Sequence, residues 1–329
     1  MIAVVGGGSW GTALARLVAL SGTPALLVCR TADQARRMAA ERRAVGYLKG
    51  VELPDGVSVG SLEDVDSLTG ADLVVAAVPT RALHEAAEWM SSRLAPDTPF
   101  LSLMKGLDPV SGLRLSEAWR TALGVPIRFA ALSGPNHAEE VAAGQPTATV
   151  AAGDPELCAD LQRLLNGPRF RVYVNDDLVG VELCGAAKNV IAIAAGMSDG
   201  MGAGDNAKAS LITRGLAEMT RLGVACGARD ATFRGLAGMG DLVATCTSTH
   251  SRNRRAGELI AEGLAADLVD QRLGQVAEGL WTVRSLLDLA ASVSVELPIS
   301  QQVHAAAFEG RPIERCMESL MARAPVAEE

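Results

Sequence analysis

The chain has 329 residues, 49% of them hydrophobic and 21% charged, which is typical of a soluble globular protein long enough for two domains. Its formal net charge of −8 argues against a nucleic-acid partner, because such partners normally require a basic surface. The six cysteines form no CxxC pair and the four histidines show no ligand spacing, so we expect buried free thiols and no metal site.

The first residues, MIAVVGGG, form a strand pattern and lack the charged-then-apolar layout of a signal peptide. No run of 18 or more residues is apolar throughout. We therefore expect a soluble, cytoplasmic protein that does not insert into a membrane.

The first half of the chain alternates short apolar runs with helical patterns. The predicted strands cover residues 2–5, 25–29, 72–78, 99–104, 127–132, 147–152 and 170–175. The early ones show almost no polar alternation, as expected of strands covered by helices on both faces. This order predicts a doubly wound parallel sheet.

The strand signal stops at about Leu178, and Ala/Leu-rich helical sequence punctuated by glycine follows. The predicted fold is therefore α/β, with an N-terminal Rossmann-type doubly wound sheet in residues 1–178 and an all-helical C-terminal domain in residues 179–329. The last residues, 324–329, are expected to be frayed.

A dinucleotide-binding motif, Gly6-x-Gly8-x-x-Gly11, directly follows the first strand and opens a helix. Gly6 would allow the tight turn, Gly8 the approach of a pyrophosphate, and Gly11 close packing of helix on strand. Ser9 and Trp10 lie on the same turn and are expected to contact the cofactor, whose phosphates would sit at the helix N-terminus. The alternative is a structural turn without a ligand.

At the end of the second strand, where NAD-binding proteins usually carry a carboxylate, the sequence has Arg30. Arginine can pair with a 2′-phosphate, so the sequence predicts that NADP is favoured or at least accepted. The alternative is a solvated surface residue.

A lysine, Lys188, lies in the middle of the apolar helical stretch VELCGAAKNVIAIAAGM, in a chain that uses only four lysines among 30 basic residues. Burial disfavours the charged form of an amine, so a buried lysine can give up a proton, whereas arginine stays protonated. Lys188 is therefore our first candidate for a proton donor.

Four further motifs carry candidate ligand-binding groups. Lys105 and the Ser133-Gly134-Pro135 turn follow predicted strands, at the edge where open α/β sheets bind ligands. Asp241 and Thr245 are four residues apart and would share a helix face. Ser251, Arg252 and Asn253 begin a helix and suit a phosphate. Each motif also has a purely structural interpretation: a surface cation, a turn, a helix cap and a solvated face.

Taken together, these motifs resemble the bacterial-type NAD(P)-dependent glycerol-3-phosphate dehydrogenase family. GGGSWGTALA, KGL, SGPNHAEE, CGAAKNVIAIAAG, GMGDL, SRNRR and VAEGLWT occur in the family's order across nearly the whole chain. The resemblance implies reversible reduction of dihydroxyacetone phosphate, a phosphorylated triose, to sn-glycerol 3-phosphate with NADP(H) or NAD(H). It also suggests a homodimer.

The resemblance further implies roles for individual residues. Lys188 would donate or accept the proton, Lys105 would add positive potential, Asp241 would orient the ammonium, and Asn189 and Thr245 would complete its hydrogen bonds. The implied cofactor contacts are Ser9, Trp10, Arg30, Tyr47, Lys105, Ala138, Arg252, Val276 and Glu278. The implied substrate contacts are Lys105, Gly134, Asn136, Lys188, Asn189, Asp241, Thr245, Ser251, Arg252 and Asn253.

Two departures from the family pattern stand out: Gly134-Pro135-Asn136 replaces the frequent GPS, and YLKG replaces the usual YLPG beside Tyr47. Two rival functions remain open. One is a related two-domain dehydrogenase of the 6-phosphogluconate or hydroxyacid type, against which SRNRR and GMGDL argue. The other is a regulatory module that binds nicotinamide cofactor without turning it over.

Overall fold

The computed structural model describes residues 1–48 and 50–324. Lys49 of the YLKG loop, and residues 325–329 of the terminus expected to be frayed, lie outside the described residues. The strands are β1 Ile2–Val5, β2 Ala25–Cys29, β3 Val57–Ser61, β4 Leu73–Ala76, β5 Thr98–Ser102, β6 Ile127–Ser133, β7 Thr147–Gly153 and β8 Phe170–Asn175.

The helices of the first half are α1 Ser9–Leu20, α2 Ala32–Glu41, α3 Leu83–Ser91, α4 Leu115–Leu123, α5 Ala138–Ala142 and α6 Pro155–Leu165. Those of the second half are α7 Leu178–Gly200, α8 Asp205–Ala225, α9 Asp230–Phe233, α10 Asp241–Thr247, α11 Arg252–Ala261, α12 Ala266–Leu273, α13 Glu278–Ser292, α14 Pro298–Phe308 and α15 Ile313–Met321. A 3-10 turn covers Thr80–Ala82, and a π-helical turn covers Leu236–Gly240.

All eight strands form one sheet in the order β3-β2-β1-β4-β5-β6-β7-β8. The predicted Rossmann-type sheet followed by helices is confirmed, but one pairing is not parallel, since β7 runs antiparallel to β6. The connecting helix α5 covers only about 7 Å, whereas β6 is about 23 Å long. The chain therefore turns back at the end of β6 instead of crossing over the sheet.

The strand β3 was not predicted. Its sequence, VSVGS, has only two apolar residues, and it lies at the edge of the sheet beside β2. An edge strand has one neighbour and needs less apolar surface than an internal strand, so its sequence carries a weaker signal.

The core of the second half is built around α7. This helix is long and apolar enough to cross a membrane, with a mean hydropathy of 1.6, but 89% of its apolar window is buried inside the protein. Helices α8, α10, α11, α13 and α14 pack around it. It is the central core helix of the second half of the chain. The division into domains at residue 178, where α7 begins, stays a prediction.

Two glycines allow α7 and α11 to cross closely. A Cβ atom at Gly196 would lie 1.8 Å from the carbonyl oxygen of Arg254, and one at Gly257 would lie 2.0 Å from that of Ile193. Real Cβ atoms do not approach so near, so only glycine fits at both positions. The close crossing brings the first turn of α11 against the middle of α7, where Lys188 lies.

A buried carboxylate joins the helical half to the sheet half. Glu182 of α7 accepts hydrogen bonds from the Ser116 amide at 2.7 Å and hydroxyl at 2.7 Å, and from the Arg114 guanidinium at 2.8 Å. The Ser116 amide belongs to the first turn of α4, whose free N–H groups favour an acceptor. Glu182 therefore fixes α7 against the sheet and is not part of the site described next.

Candidate active site

A cavity of about 450 Å³ opens between the carboxyl edge of the sheet and the helical half. The glycine-rich turn and residues after β2, β4, β5 and β6 form one part of its wall, and α7, α10, α11 and the start of α13 form the other. The predicted residues on this wall are Gly6, Gly8, Ser9, Trp10, Arg30, Tyr47, Lys105, Asn136, Ala138, Lys188, Asn189, Asp241, Thr245, Ser251, Arg252, Asn253, Val276 and Glu278.

The glycine-rich turn leaves room for an anion at the N-terminus of α1. Gly6 has φ +123°, and a Cβ atom there would lie 2.5 Å from the carbonyl oxygen of Ala77. Gly8 has no atom within 4 Å of the place a Cβ would occupy. The Ser9 hydroxyl is buried without a hydrogen-bond partner among the described residues. Free helix N–H groups and an unpartnered hydroxyl fit a pyrophosphate.

Gly11 acts behind this turn and not on the cavity wall. A Cβ atom there would lie 2.0 Å from the Gly6 carbonyl oxygen and 3.0 Å from the Ala77 side chain. Its lack of a side chain therefore lets α1 pack closely on the strands, which sets the position of the helix N-terminus.

The end of β2 presents Arg30 to solvent at the cavity wall. Behind it, Gln34 of α2 donates a hydrogen bond to the carbonyl oxygen of Gly7 at 2.8 Å, which ties α2 to the glycine-rich turn. Arg30 therefore lies between β2 and a helix that is fixed to the glycine-rich turn, where a negative group on a bound nucleotide can reach its exposed guanidinium.

At the other end of the cavity, two lysines share one carboxylate. Lys105 Nζ donates to Asp241 Oδ2 at 2.7 Å, and Lys188 Nζ donates to Asp241 Oδ1 at 3.0 Å. All three side chains are largely buried, with Asp241 only 3% exposed. A lone buried charge would be very costly, and this arrangement pairs each charge with its opposite.

The two ammonium groups differ in how completely the protein satisfies them. Lys105 Nζ has three acceptors: Asp241, the Gly134 carbonyl at 2.9 Å and Asn136 Oδ1 at 2.9 Å. Lys188 Nζ has two among the described residues, Asp241 and the Thr245 hydroxyl at 2.8 Å. An ammonium group carries three hydrogens, so Lys188 keeps one for a ligand and Lys105 keeps none.

The charges act on one another. Burial lowers the pKa of Lys105 to about 8; Asp241 opposes the shift, while Lys188 and Arg252 add to it. Burial alone would raise the pKa of Asp241, but the two ammonium groups outweigh it and hold that pKa below its ordinary value. Asp241 therefore remains a carboxylate between two cations.

The Lys105 partners are themselves oriented by β6 and β7. Asn136 donates through Nδ2 to the Thr149 hydroxyl at 2.9 Å, and Thr149 donates to the carbonyl oxygen of Ser133. This leaves Asn136 Oδ1 facing Lys105. Gly134, expected to contact substrate, is not on the cavity wall; its carbonyl instead accepts from Lys105. Its φ of +139° directs that carbonyl, which explains the glycine.

Asn189 does not complete the hydrogen bonds of Lys188, so that expectation was wrong. Successive residues on a helix point about 100° apart, and the Asn189 side chain faces a different neighbour. Its Nδ2 donates to the Lys105 carbonyl at 3.2 Å, and its Oδ1 accepts from Asn253 Nδ2 at 2.9 Å. Asn253 Oδ1 in turn accepts from the Gly279 amide at 2.9 Å. Asn189 therefore links the backbone of Lys105 to the start of α11.

The start of α11 combines a helix N-terminus with an exposed cationic side chain. Ser251 caps the helix, since its hydroxyl accepts from the Arg254 amide at 3.2 Å. Arg252 is exposed on the cavity wall, and one amide hydrogen of Asn253 remains after its bond to Asn189. An anionic group of a ligand fits here, against N–H donors and a guanidinium.

Other cavity residues were not singled out from the sequence: Gln34, Arg81, His137, His250 and Gln275. His137 Nε2 lies 3.4 Å from the carbonyl oxygen of Ala244, and burial, with the Lys188 charge, lowers the pKa of its imidazole. His137 follows Asn136 directly, so its place beside a predicted substrate contact was the available signal. Gln275 directly precedes the motif VAEGLWT, and that neighbourhood was the available signal, whereas Arg81 belongs to no recognisable motif.

The fold and site together define a class. The sheet half is of the Rossmann type and has a glycine-rich turn, and the helical half contributes a buried lysine and a buried carboxylate. This is the architecture of a nicotinamide-nucleotide-dependent dehydrogenase. The chain belongs to the NAD-dependent glycerol-3-phosphate dehydrogenase family. The model of that family's N-terminus matches residues 1–159, and the model of its C-terminus matches residues 177–318.

Relatives and solved structures agree with this assignment. The chain is 47% identical to glycerol-3-phosphate dehydrogenase [NAD(P)+] of Chlorobium limicola over 99% of both chains. It is 45% identical to the protein of that name from Geobacillus thermodenitrificans, over 98% of this chain and 94% of that one. The crystal structure of glycerol-3-phosphate dehydrogenase from Coxiella burnetii superposes with a TM-score of 0.92, at 40% identity and 98% coverage of both chains.

Proposed function

We propose that this enzyme catalyses the reversible, NAD(P)H-dependent reduction of dihydroxyacetone phosphate to sn-glycerol 3-phosphate. The observation that carries the proposal is the contrast between the two lysines. Lys188 has an ammonium hydrogen without a protein acceptor among the described residues and lines the cavity, while Lys105 uses all three of its hydrogens. One lysine is thus available to a substrate carbonyl oxygen, and the other holds the charge around it.

The proton chemistry follows from this geometry. A bound reduced nicotinamide would supply the hydride for the ketone carbon, and the negative charge developing on the carbonyl oxygen requires a proton. Lys188 would transfer one ammonium proton to that oxygen and become a neutral amine. Asp241 and Thr245 hold its nitrogen in place, and Lys105 stabilises the developing negative charge. In the oxidation direction, Lys188 accepts the proton.

The substrate phosphate would bind at the start of α11, against Ser251, Arg252 and Asn253. Because Asn253 is bonded to Asn189, and Asn189 to the Lys105 backbone, the phosphate site is rigidly connected to the lysine pair. Binding energy from the phosphate can therefore position the ketone for reaction. Asn136 is the proposed substrate contact on the sheet side.

The cofactor would lie along the other end of the cavity. Its pyrophosphate would bind beside Gly8, Ser9 and Trp10, and Arg30 would pair with the 2′-phosphate of NADP. The proposed walls around the rest of the cofactor are Tyr47, Ala138, Val276 and Glu278. Arg30 lies on this wall with its guanidinium exposed, which supports acceptance of NADP.

The direct test is oxidation of NADPH or NADH by the purified protein, followed by absorbance, with a panel of ketones. We expect rapid oxidation with dihydroxyacetone phosphate and little with dihydroxyacetone, which lacks the phosphate. A preference for an oxidised 6-phosphosugar acid or a 3-oxoacid would instead support a related two-domain dehydrogenase. Cofactor binding with no turnover of any ketone would support the nicotinamide-sensing module.

In the cell, this reaction would take place in the cytoplasm and supply the head-group precursor of glycerophospholipids. We further propose a homodimer. Light scattering on the purified protein tests the assembly, with a mass of twice 34.1 kDa expected.

A further inference from the structure

Asp270 of α12 does not line the cavity but accepts hydrogen bonds from three residues, two at the start of α13 and one in the 3-10 turn Thr80–Ala82. Its Oδ1 accepts from the backbone amide of Ala277 at 2.8 Å. Its Oδ2 accepts from the indole of Trp281 at 3.0 Å and from the guanidinium of Arg81 at 3.3 Å. The carboxylate is only 18% exposed, so these are partly desolvated, charge-assisted bonds.

Arg81 connects the sheet half to Asp270. It belongs to the 3-10 turn Thr80–Ala82 after β4, and its guanidinium also lies 5.4 Å from the centre of the Trp281 ring, within cation–π range. The preceding residue makes a second connection. Thr80 donates its amide at 3.2 Å and its hydroxyl at 2.6 Å to the carboxylate of Glu278.

The turn is thus attached at two points to one segment of the helical half, residues 270–281. Gln275 and Val276 lie between Asp270 and the second attachment, Glu278, and these three residues, 275, 276 and 278, line the cavity together with Pro79 and Arg81. Asp270 and Trp281 do not line the cavity and contact neither the lysine pair nor Asp241. The contacts of Asp270 and Trp281 therefore affect the cavity only through the position of the wall segment 275–278.

We propose that Asp270 is a positioning residue for the cofactor: it holds the wall segment 275–278 against the turn Thr80–Ala82, so that the cofactor end of the cavity is formed before binding. The inference rests on the proposed use of this cavity for NAD(P)H. A wall fixed in advance loses less conformational freedom when the ligand binds, so the contribution appears in cofactor affinity. The lysine pair is untouched, so turnover at saturating cofactor should change little.

The isosteric substitution Asp270→Asn is the sharpest variant. Asparagine has one acceptor oxygen, because its other terminal group, NH2, is a donor. It therefore cannot accept the hydrogen bonds of Ala277, Trp281 and Arg81 all at once in the present arrangement. We expect NADPH to bind about ten-fold more weakly, the order of one lost charge-assisted hydrogen bond. Trp281→Phe keeps a ring but removes one donor, and should weaken binding in the same direction, by roughly three-fold.

The matched control is Asp267→Asn, which makes the same change at an exposed position of the same helix. NADPH dissociation constants measured by calorimetry, kcat at saturating cofactor, and the melting temperature without ligand should be compared for all four proteins. We expect weaker binding in the Asp270 and Trp281 variants, kcat within about two-fold of the wild type, and an unchanged control.

An Asp270→Asn or Trp281→Phe protein that binds NADPH as tightly as Asp267→Asn overturns the inference. So does a fall in kcat equal to the fall in affinity, because that would indicate general damage to the site. The binding measurement requires no turnover. A wild type that binds NADPH but reduces no ketone therefore contradicts the proposed function alone, whereas one that binds no nicotinamide cofactor overturns both.

Discussion

Lys105 and Lys188 approach one carboxylate from two sides, Lys105 at 2.7 Å from Asp241 Oδ2 and Lys188 at 3.0 Å from Oδ1. The two lysines are 83 positions apart in the chain and come from the sheet half and the helical half. Joining the halves therefore assembles the site. Asp241 reduces the repulsion between two nearby cations and fixes which hydrogen of Lys188 remains for a ligand.

Replacing Asp241 with asparagine should damage both stability and activity. Two buried ammonium groups would lose their counter-charge, which typically costs about 3–5 kcal/mol when a buried pair is broken. We expect the free energy of unfolding in urea to fall by that order at neutral pH, and ketone reduction to fall by at least about a hundred-fold. The deficit should shrink above about pH 8, the pKa of Lys105, because a deprotonated Lys105 needs no carboxylate.

The exposed Asp267→Asn variant controls for the loss of one negative charge. If Asp241→Asn unfolds at the same urea concentration as this control, the carboxylate does not hold the lysine pair together.

Ketone reduction should weaken as the pH rises through about 8, the pKa of Lys105. Lys105 is charged below that pH and neutral above it, and its proposed role requires the charge. The same titration has the opposite effect on the stability of the fold, which should increase with pH. Because this pKa is lower in the folded protein than the ordinary 10.5, the folded state releases its proton first, and stability rises between about pH 8 and 10.5.

The measurement is kcat/KM for dihydroxyacetone phosphate across this pH range, for the wild type and Lys105→Arg. Arginine stays protonated, so the variant should be slower overall but should lose the decline near pH 8. If kcat/KM of Lys105→Arg still declines at the same pH as that of the wild type, a group other than Lys105 is responsible for the decline.

Arg30→Ala should change cofactor preference. If Arg30 pairs with the 2′-phosphate, its loss removes a hydrogen bond between charged groups, and the ratio of kcat/KM with NADPH to that with NADH should fall about ten- to a hundred-fold. Activity with NADH should hardly change. Arg37→Ala, which removes an exposed arginine of the following helix α2 beside Glu41, provides the control. An equal ratio in both variants contradicts the role of Arg30.

Gly257→Ala should loosen the site from a distance. The added Cβ would lie 2.0 Å from the carbonyl oxygen of Ile193, so α11 must move away from α7. We expect about 1–3 kcal/mol of destabilisation in urea, together with a higher KM for substrate, since Asn253 moves with α11. Gly70→Ala, where no atom lies within 4 Å, should have little effect. If Gly257→Ala and Gly70→Ala are equally stable, α7 and α11 can move apart at their crossing without loss of stability.

Much of the fold was predictable because its signals are local. The runs IAVV and ALLVC are uninterrupted apolar segments, and the observed β1 and β2 coincide with them. The edge strand β3 was not predicted, and β7 was predicted as a strand but not as one that runs antiparallel to β6. The first has too few apolar residues, and the direction of the second depends on how the chain returns from β6.

The candidate site was predictable only in part. Sequence motifs placed Lys105, Lys188 and Asp241 in one site, and the structure brings their side chains into contact. The direction of the Asn189 side chain was wrong, since its partner Asn253 lies 64 positions away. Trp281 belongs to the motif VAEGLWT, but its contacts with Arg81 and Asp270 were not predictable, because they depend on how three separate elements pack.

The central claim is that Lys188 delivers the proton, and the single-turnover rate of NADPH oxidation by Lys188→Arg tests it most directly. Arginine keeps the charge but does not release a proton at working pH. Lys208→Arg makes the same change at a lysine paired with Asp199, outside the cavity. We predict a rate about 10²- to 10⁴-fold below wild type for Lys188→Arg, with NADPH affinity within about two-fold, and a normal rate for Lys208→Arg. A folded Lys188→Arg enzyme that reduces dihydroxyacetone phosphate at near the wild-type rate would contradict the account.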